Sequence, residues 1–141
     1  MDIFYVSFPA FLSYFSCFTY CHRMHNQKQS TGTQGEWLAV QYLQAQGYHL
    51  LERNWRVGHK EIDIICRQED IIIFVEVKAR RSVRYGHPEE AVSAQKASLI
   101  VEAAMAYLED KVYKDIRFDI VSVTLLNGKE PELFHIKDAF Y

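Results

Sequence analysis

Asp63, Glu76 and Lys78 are the residues whose types and spacing promise chemistry. Glu76 and Lys78 close the otherwise apolar run IIIFVEVKARR, residues 71–81. They stand two positions apart, so on an extended strand both side chains point to one face of the sheet. Upstream, EIDIICR carries Glu61 and Asp63 at the same spacing. If a tight turn near Glu69 and Asp70 joins the two runs into a hairpin, Asp63 and Glu76 fall opposite each other, give or take a residue or two. Two carboxylates that close repel unless a cation lies between them or one holds a proton. With the backbone carbonyl of Val77, they outline a site for a hard divalent cation that fills its shell with water and phosphate. Lys78 beside it would orient or help deprotonate an attacking water and offset charge developing on phosphorus. The plain alternative is a strand reaching the edge of its sheet, with an exposed ion pair contributing roughly 0–1 kcal/mol.

A polyanionic substrate would need cations at the mouth of such a site. The segment KARRSVRYGH supplies Lys78, Arg80, Arg81 and Arg84 with no acid among them, which suits a phosphate backbone as well as it suits a solvated charge run. Lys96, with Gln95 beside it, is a further candidate for a phosphate contact. The formal net charge of -2 excludes blanket adhesion to nucleic acid and leaves only a local patch. Asn54, between Arg53 and Arg56, reads as a hydrogen-bonding turn residue. His59, His87 and His135 stand singly without ligand spacing and receive no role. Trp37 and Trp55 read as packing.

The elements that must position these groups are legible in outline. GEWLAVQYLQAQG suits a helix with Trp37, Val40 and Ala45 near one side, Leu38 and Leu43 broadening the stripe, and a stop at Gly47. YHLLERNWRV, EIDIICR and IIIFVEVKA read as three strands of an antiparallel meander. EEAVSAQKASLIVEAAMAYLED is helical, with Ala97, Ile100, Ala104 and Leu108 at spacings of three and four. DIRFDIVSVTLL and ELFHI follow as strands, the first able to lie parallel to the third strand of the meander. The expected fold is therefore α/β, a mixed central sheet flanked by helices in the order α-β-β-β-α-β. With 49% hydrophobic residues in 141, one domain over residues 31–141 is expected.

Residues 1–30 differ. They hold no charge between Asp2 and Arg23 and are rich in Phe and Tyr. The absence of a basic n-region speaks against export, and Pro9 with several hydroxylated residues makes a poor membrane span. The preferred reading is an extension preceding a start at Met24, standing outside the folded domain. Cys17, Cys21 and Cys66 form no even framework, and Cys17, Cys21 and His22 lack a second ligand pair for zinc. A reduced, cytoplasmic setting follows as the simplest expectation.

Asp63 followed by Glu76-Val77-Lys78 resembles the PD-(D/E)XK nuclease superfamily. The wider set GEWLAVQYLQAQGY, LLERNWR, EIDII, FVEVKARR, YGHPEEAV and QK is similar to its small bacterial YraN-like proteins, over Gly35 to about Tyr107. The resemblance implies a restriction-endonuclease-like core of the archaeal Holliday-junction-resolvase kind. It implies metal ligands at Asp63 and Glu76, a catalytic lysine at Lys78 and an assisting acid at Glu36. The superfamily's proline before the first acid is Ile62 here, and Lys60 stands where many YraN-like sequences have glycine. The expected function is a Mg²⁺- or Mn²⁺-dependent endonuclease acting on DNA ahead of RNA, branched DNA included. It would work without a small-molecule cofactor, and as a homodimer if it cuts both strands. The alternatives are a nucleic-acid-binding module that keeps the fold without turnover and, more distantly, a protein tethered to a membrane by its aromatic N-terminus.

Overall fold

The computed structural model describes residues 3–7, 30–81 and 92–141. Its elements are β1 (Ile3–Ser7), α1 (Thr31–Ala45), β2 (His49–Val57), β3 (Lys60–Gln68), β4 (Ile71–Arg80), α2 (Ala94–Leu108), β5 (Asp115–Thr124) and β6 (Glu132–Ile136). One six-stranded sheet runs in the order β1-β6-β5-β4-β3-β2. β2, β3 and β4 form the antiparallel meander, β4 and β5 are parallel, and β5 pairs antiparallel with β6. The parallel step follows from the length of the crossover through α2, since only a helix-sized connection can return the chain to the same end of the sheet. The architecture is the mixed α/β sheet that the order of elements predicts, and it is compatible with the restriction-endonuclease-like core that the resemblance implies.

Both helices among the described residues begin on a serine. Ser30 Oγ accepts from the Thr33 amide at 3.2 Å, and Ser93 Oγ accepts from the Lys96 amide at 3.2 Å, satisfying donors that a first turn leaves open. Gly47, at φ 84°, takes the left-handed conformation that ends α1, where a side chain would be strained. The two helices cover opposite faces. Leu38, Ala39, Tyr42 and Leu43 of α1 pack on Ile64, Cys66, Ile73, Val75, Val121 and Val123. Ile100, Ala103, Ala104, Tyr107 and Leu108 of α2 pack on Ile62, Ile65, Ile72, Phe74 and Phe118.

Two details of the helix stripes differ from the sequence reading. Ala45 is exposed and Ala97 only half-buried, while Tyr42 and Tyr107 are buried. Both tyrosines project far enough to reach the core from the flank of the stripe, which alanine cannot. Within residues 1–30, which the sequence sets apart from the domain, Ile3–Ser7 pairs antiparallel with β6 from Ile3↔Ile136 to Ser7↔Glu132. That run, IFYVS, is β-branched and aromatic enough to serve as a strand. Met24, Cys17, Cys21 and His22 lie outside the described residues. Among the described residues no helix is long and apolar enough to cross a membrane.

Candidate active site

β3 and β4 pair from Gln68↔Ile71 to Ile64↔Val75 and no further. One more step in that register sets Asp63 opposite Glu76. In place of a backbone rung, the Val77 amide donates to Asp63 Oδ2 at 2.8 Å. β4 meanwhile stays paired with β5 as far as Arg80↔Thr124, so the sheet opens between β3 and β4 just at the acids. A residue's N–H and C=O leave an extended strand on the same side, and the Val77 carbonyl therefore faces this gap as its amide does.

Glu76 is 4% exposed. Its Oε1 accepts from Lys78 Nζ at 2.8 Å, while Oε2 lies 3.3 Å from Lys96 Nζ and accepts no hydrogen bond. Lys96 thus lines the acid pair itself and is more than a distant phosphate contact on a helix face. Burial pushes the Asp63 carboxyl up to about 6, the charge of Glu76 adds to the rise, and the Val77 amide and Lys96 pull against it. Glu36 adds a smaller upward push, so this carboxylate stands within electrostatic reach of Asp63 although α1 packs on the other face of the sheet.

What brings α1 so near is Gly35. A Cβ built on it would collide with Ala79 Cβ, so the N-terminal part of α1, at its fifth residue, rests directly on β4, one residue past Lys78. Only glycine permits that approach. The signal was in the sequence: a glycine beside the helix's acid, inside a helix, where it costs about 1 kcal/mol relative to alanine and invites a packing reason.

The donor set suits a small hard cation. Asp63, Glu76 and the Val77 carbonyl offer oxygen alone, and a buried carboxylate oxygen without a hydrogen bond is the kind of atom such an ion satisfies. Among the described residues no three acidic, histidine or cysteine side chains gather as a ready metal cage. The protein would thus supply few ligands and leave the others to water and phosphate, as Mg²⁺ commonly requires.

The remaining candidates divide. Arg80 is half-buried, its Nε donating to Thr124 Oγ1 at 3.2 Å, and Arg81 is exposed beyond the end of β4. Arg84 lies outside the described residues. Glu61 turns to Arg56 at 3.0 Å and takes no part in the acid pair. His135, assigned no role from sequence, is 1% exposed with its Nε2 2.8 Å from Asp119 Oδ2. Asp119 also accepts from Arg117 Nε and Nη2 at 2.8 and 2.9 Å and from the Asp138 amide at 3.1 Å. Burial alone would raise the Asp119 carboxyl, but the hydrogen bonds from His135 and Arg117 outweigh it and hold the group below its ordinary value. This network ties β5 to β6 and lies apart from the acids of the gap. An aspartate inside the apolar run FDIVSV was the signal that sequence reading passed over.

Residues 35–123 match the model of a family described as "Uncharacterised protein family UPF0102". A UPF0102 protein of Syntrophomonas wolfei subsp. wolfei is 45% identical over 111 residues, covering 77% of this chain and 96% of the relative. One from Rhodococcus jostii is 40% identical over 111 residues, covering 77% and 94%. Another, from Chloroherpeton thalassium, is 40% identical over 124 residues, covering 82% and 96%. The matched region contains the gap between β3 and β4, all of α2 and α1 from Gly35 onward.

Proposed function

The chain belongs to the uncharacterised protein family UPF0102, and from that premise and the geometry of the gap we propose that it is a divalent-metal-dependent endonuclease hydrolysing phosphodiester bonds in DNA. The observation that supports this most is the convergence of Asp63 and Glu76 where two strands part, with Lys78 on the same face of β4. Held by Asp63, Glu76 and the Val77 carbonyl, Mg²⁺ or Mn²⁺ would supply Lewis acidity and a lowered pKa for a bound water. Asp63 is steadied by the Val77 amide, which fixes one carboxylate oxygen and leaves the other for the gap. Lys78 holds Glu76 at rest and can swing its ammonium to the scissile phosphate, where it would balance charge as the attacking oxygen adds. Lys96 keeps a second positive charge against Glu76. Glu36, on α1 and within electrostatic reach of Asp63, would orient water. Arg81, with Arg80 and Arg84, would hold the backbone to either side. The resemblance to Holliday-junction resolvases puts branched DNA first among substrates and calls for two copies if both strands are cut.

One observation favours a binding module without turnover: both carboxylate oxygens of Glu76 already face ammonium groups. A cleavage screen separates the two readings. The full chain is incubated with labelled linear, flapped and four-way DNA and matching RNA, in Mg²⁺, Mn²⁺ or EDTA. Metal-dependent cleavage that disappears in Asp63→Asn supports the enzyme, whereas salt-sensitive binding without any product would leave the module.

A further inference from the structure

We propose that Asn54 is a positioning residue, whose left-handed backbone turns the β2–β3 hairpin so that Asp63 leaves the ladder and enters the gap. The purpose of that seat rests on the nuclease reading; the means rests on backbone geometry alone. Asn54 lies in the interior of β2 with φ 50°, a conformation that side-chain-bearing residues adopt at a cost and asparagine tolerates better than most. The β2–β3 ladder passes from Arg53↔Ile64 to Trp55↔Ile62 with no rung at Asn54 and Asp63. The β3–β4 ladder also ends one residue short of Asp63. Asp63 is therefore released from strand pairing on both sides.

The side chains show what the release accomplishes. Ile64 and Cys66 pack under α1 and Ile65 under α2, in the alternation a strand requires. Continued by one more period, that alternation would place Ile62 under α1. Ile62 packs under α2 instead, with Trp55 beside it. The alternation slips by one residue at Asp63, opposite the left-handed Asn54. The register shift between Leu50 and Glu52 does not explain this, because it falls on β2 and precedes two regular rungs. Beyond the slip the hairpin settles on α2: the Trp55 ring meets Tyr107 edge-on at 5.3 Å, and Lys60 Nζ lies 2.7 Å from Glu102. At the pivot, the Asp63 carboxylate turns to the Val77 amide.

Two substitutions test the backbone directly. Asn54→Gly keeps the left-handed conformation at no steric cost, whereas Asn54→Val opposes it. On the full chain, hydrogen exchange is followed at the Val77 amide, with the Cys66↔Ile73 rung as an internal control, and Mn²⁺ is titrated by thermal shift. Asn54→Gly should protect Val77 as the parent does. Asn54→Val should speed exchange at Val77 roughly tenfold, the control rung staying within about twofold, since an opposed left-handed residue favours the open state by about that factor. Mn²⁺ affinity should fall with it. If the valine variant does not fold, Asn54→Ala is compared with Asn54→Gly in its place, and the same ordering is expected. Equal Val77 protection in the glycine variant and its β-branched or alanine counterpart would overturn the proposal. So would a glycine variant that loses as much as they do, because the side chain and not the backbone would then be responsible. A parent whose melt ignores Mn²⁺, with Val77 exchange still separating the variants, would retire the nuclease reading and leave the positioning role standing.

Discussion

Replacing Asp63 with asparagine removes one charge from the gap and keeps an oxygen for the Val77 amide. In the metal-free protein the Asp63 carboxyl sits at about 6 against an ordinary 3.8, chiefly through burial and then through Glu76. Because the folded value is raised, ionisation opposes folding: the stability tied to the protonated group is whole below pH ~4 and is lost as pH climbs through about 6. A shift of that size corresponds to roughly 3 kcal/mol at most, at 1.36 kcal/mol per unit, and partial solvation reduces it to about 1–3 kcal/mol. The asparagine variant escapes this loss. In EDTA, Asp63→Asn should match the parent near pH 4 and exceed it at pH 8 by several degrees in Tm, at about 2–4 °C per kcal/mol for a chain of this size. Mn²⁺ should reverse the order. The parent gains RT ln(1 + [L]/Kd), about 2.7 kcal/mol at a hundredfold excess over Kd, and the variant gains nothing. Circular-dichroism melts at pH 4, 6 and 8 in EDTA, and at pH 8 with Mn²⁺, check both limbs. A variant less stable than its parent by the same amount at every pH, with Mn²⁺ inert on both, would make Asp63 an ordinary hydrogen-bond acceptor and refute the reasoning.

Lys78→Ala should keep metal-linked stabilisation while single-turnover cleavage falls on the order of a hundredfold or more, as removal of one transition-state stabiliser does; unchanged cleavage would remove Lys78 from the chemistry. Arg81→Ala should lower the salt slope of DNA binding by about one unit, with a smaller change for Arg80→Ala because its Nε is engaged by Thr124; salt titrations of fluorescence anisotropy read both. Gly35→Ala forces a Cβ into Ala79 Cβ and should cost about 1–3 kcal/mol in urea unfolding. Adding Ala79→Gly should recover most of that loss. Asp119→Asn should destabilise by about 3–5 kcal/mol at pH 7, since it leaves the Arg117 charge without its partner. The folded Asp119 value is lowered, so its contribution is present above the unfolded carboxylate value near pH 4 and drains away as pH falls; melts from pH 7 to 3 should show that loss in the parent and not in the variant.

The acids were legible because a tight turn leaves a hairpin little freedom. Once Glu69 and Asp70 make the turn, counting outward from Gln68↔Ile71 reaches Asp63 and Glu76 together, and period-two alternation fixes their faces. The parallel pairing of β4 with β5 was legible for a similar reason, since a helix of 15 residues between them carries the chain back along the sheet. What escaped was set by tertiary geometry. The approach of Lys96 to Glu76 depends on where α2 crosses the sheet, which helical periodicity does not encode. The pairing of Asp119 with His135 depends on a β5–β6 register that the turn NGKE leaves open. Asn54 read as a hydrogen-bonding turn residue, whereas it stands inside β2 with a left-handed backbone. The strand around it, YHLLERNWRV, was read correctly, and the left-handed backbone within that strand is what local patterning does not encode.

On the proposed function, the charges of the gap would let a chain of net charge -2 face a polyanion. Asp63, Glu76 and Glu36 bring three carboxylates to this end of the sheet, and Lys78 and Lys96 bring two ammonium groups. Ionised together they leave one negative charge, a state that opposes folding through Asp63 and that repels a phosphate. A divalent cation added to that set makes it positive by one, which a single phosphodiester neutralises. On the proposed function, the arrangement would disfavour nucleic acid until the cation is present and a surplus of positive charge until nucleic acid is present. Each ligand relieves the imbalance the other creates, so on this reading the two belong to one binding event. The basic segment beyond β4, exposed at Arg81, can then remain modest, for it has only to steer a backbone to a site whose charge is completed on arrival.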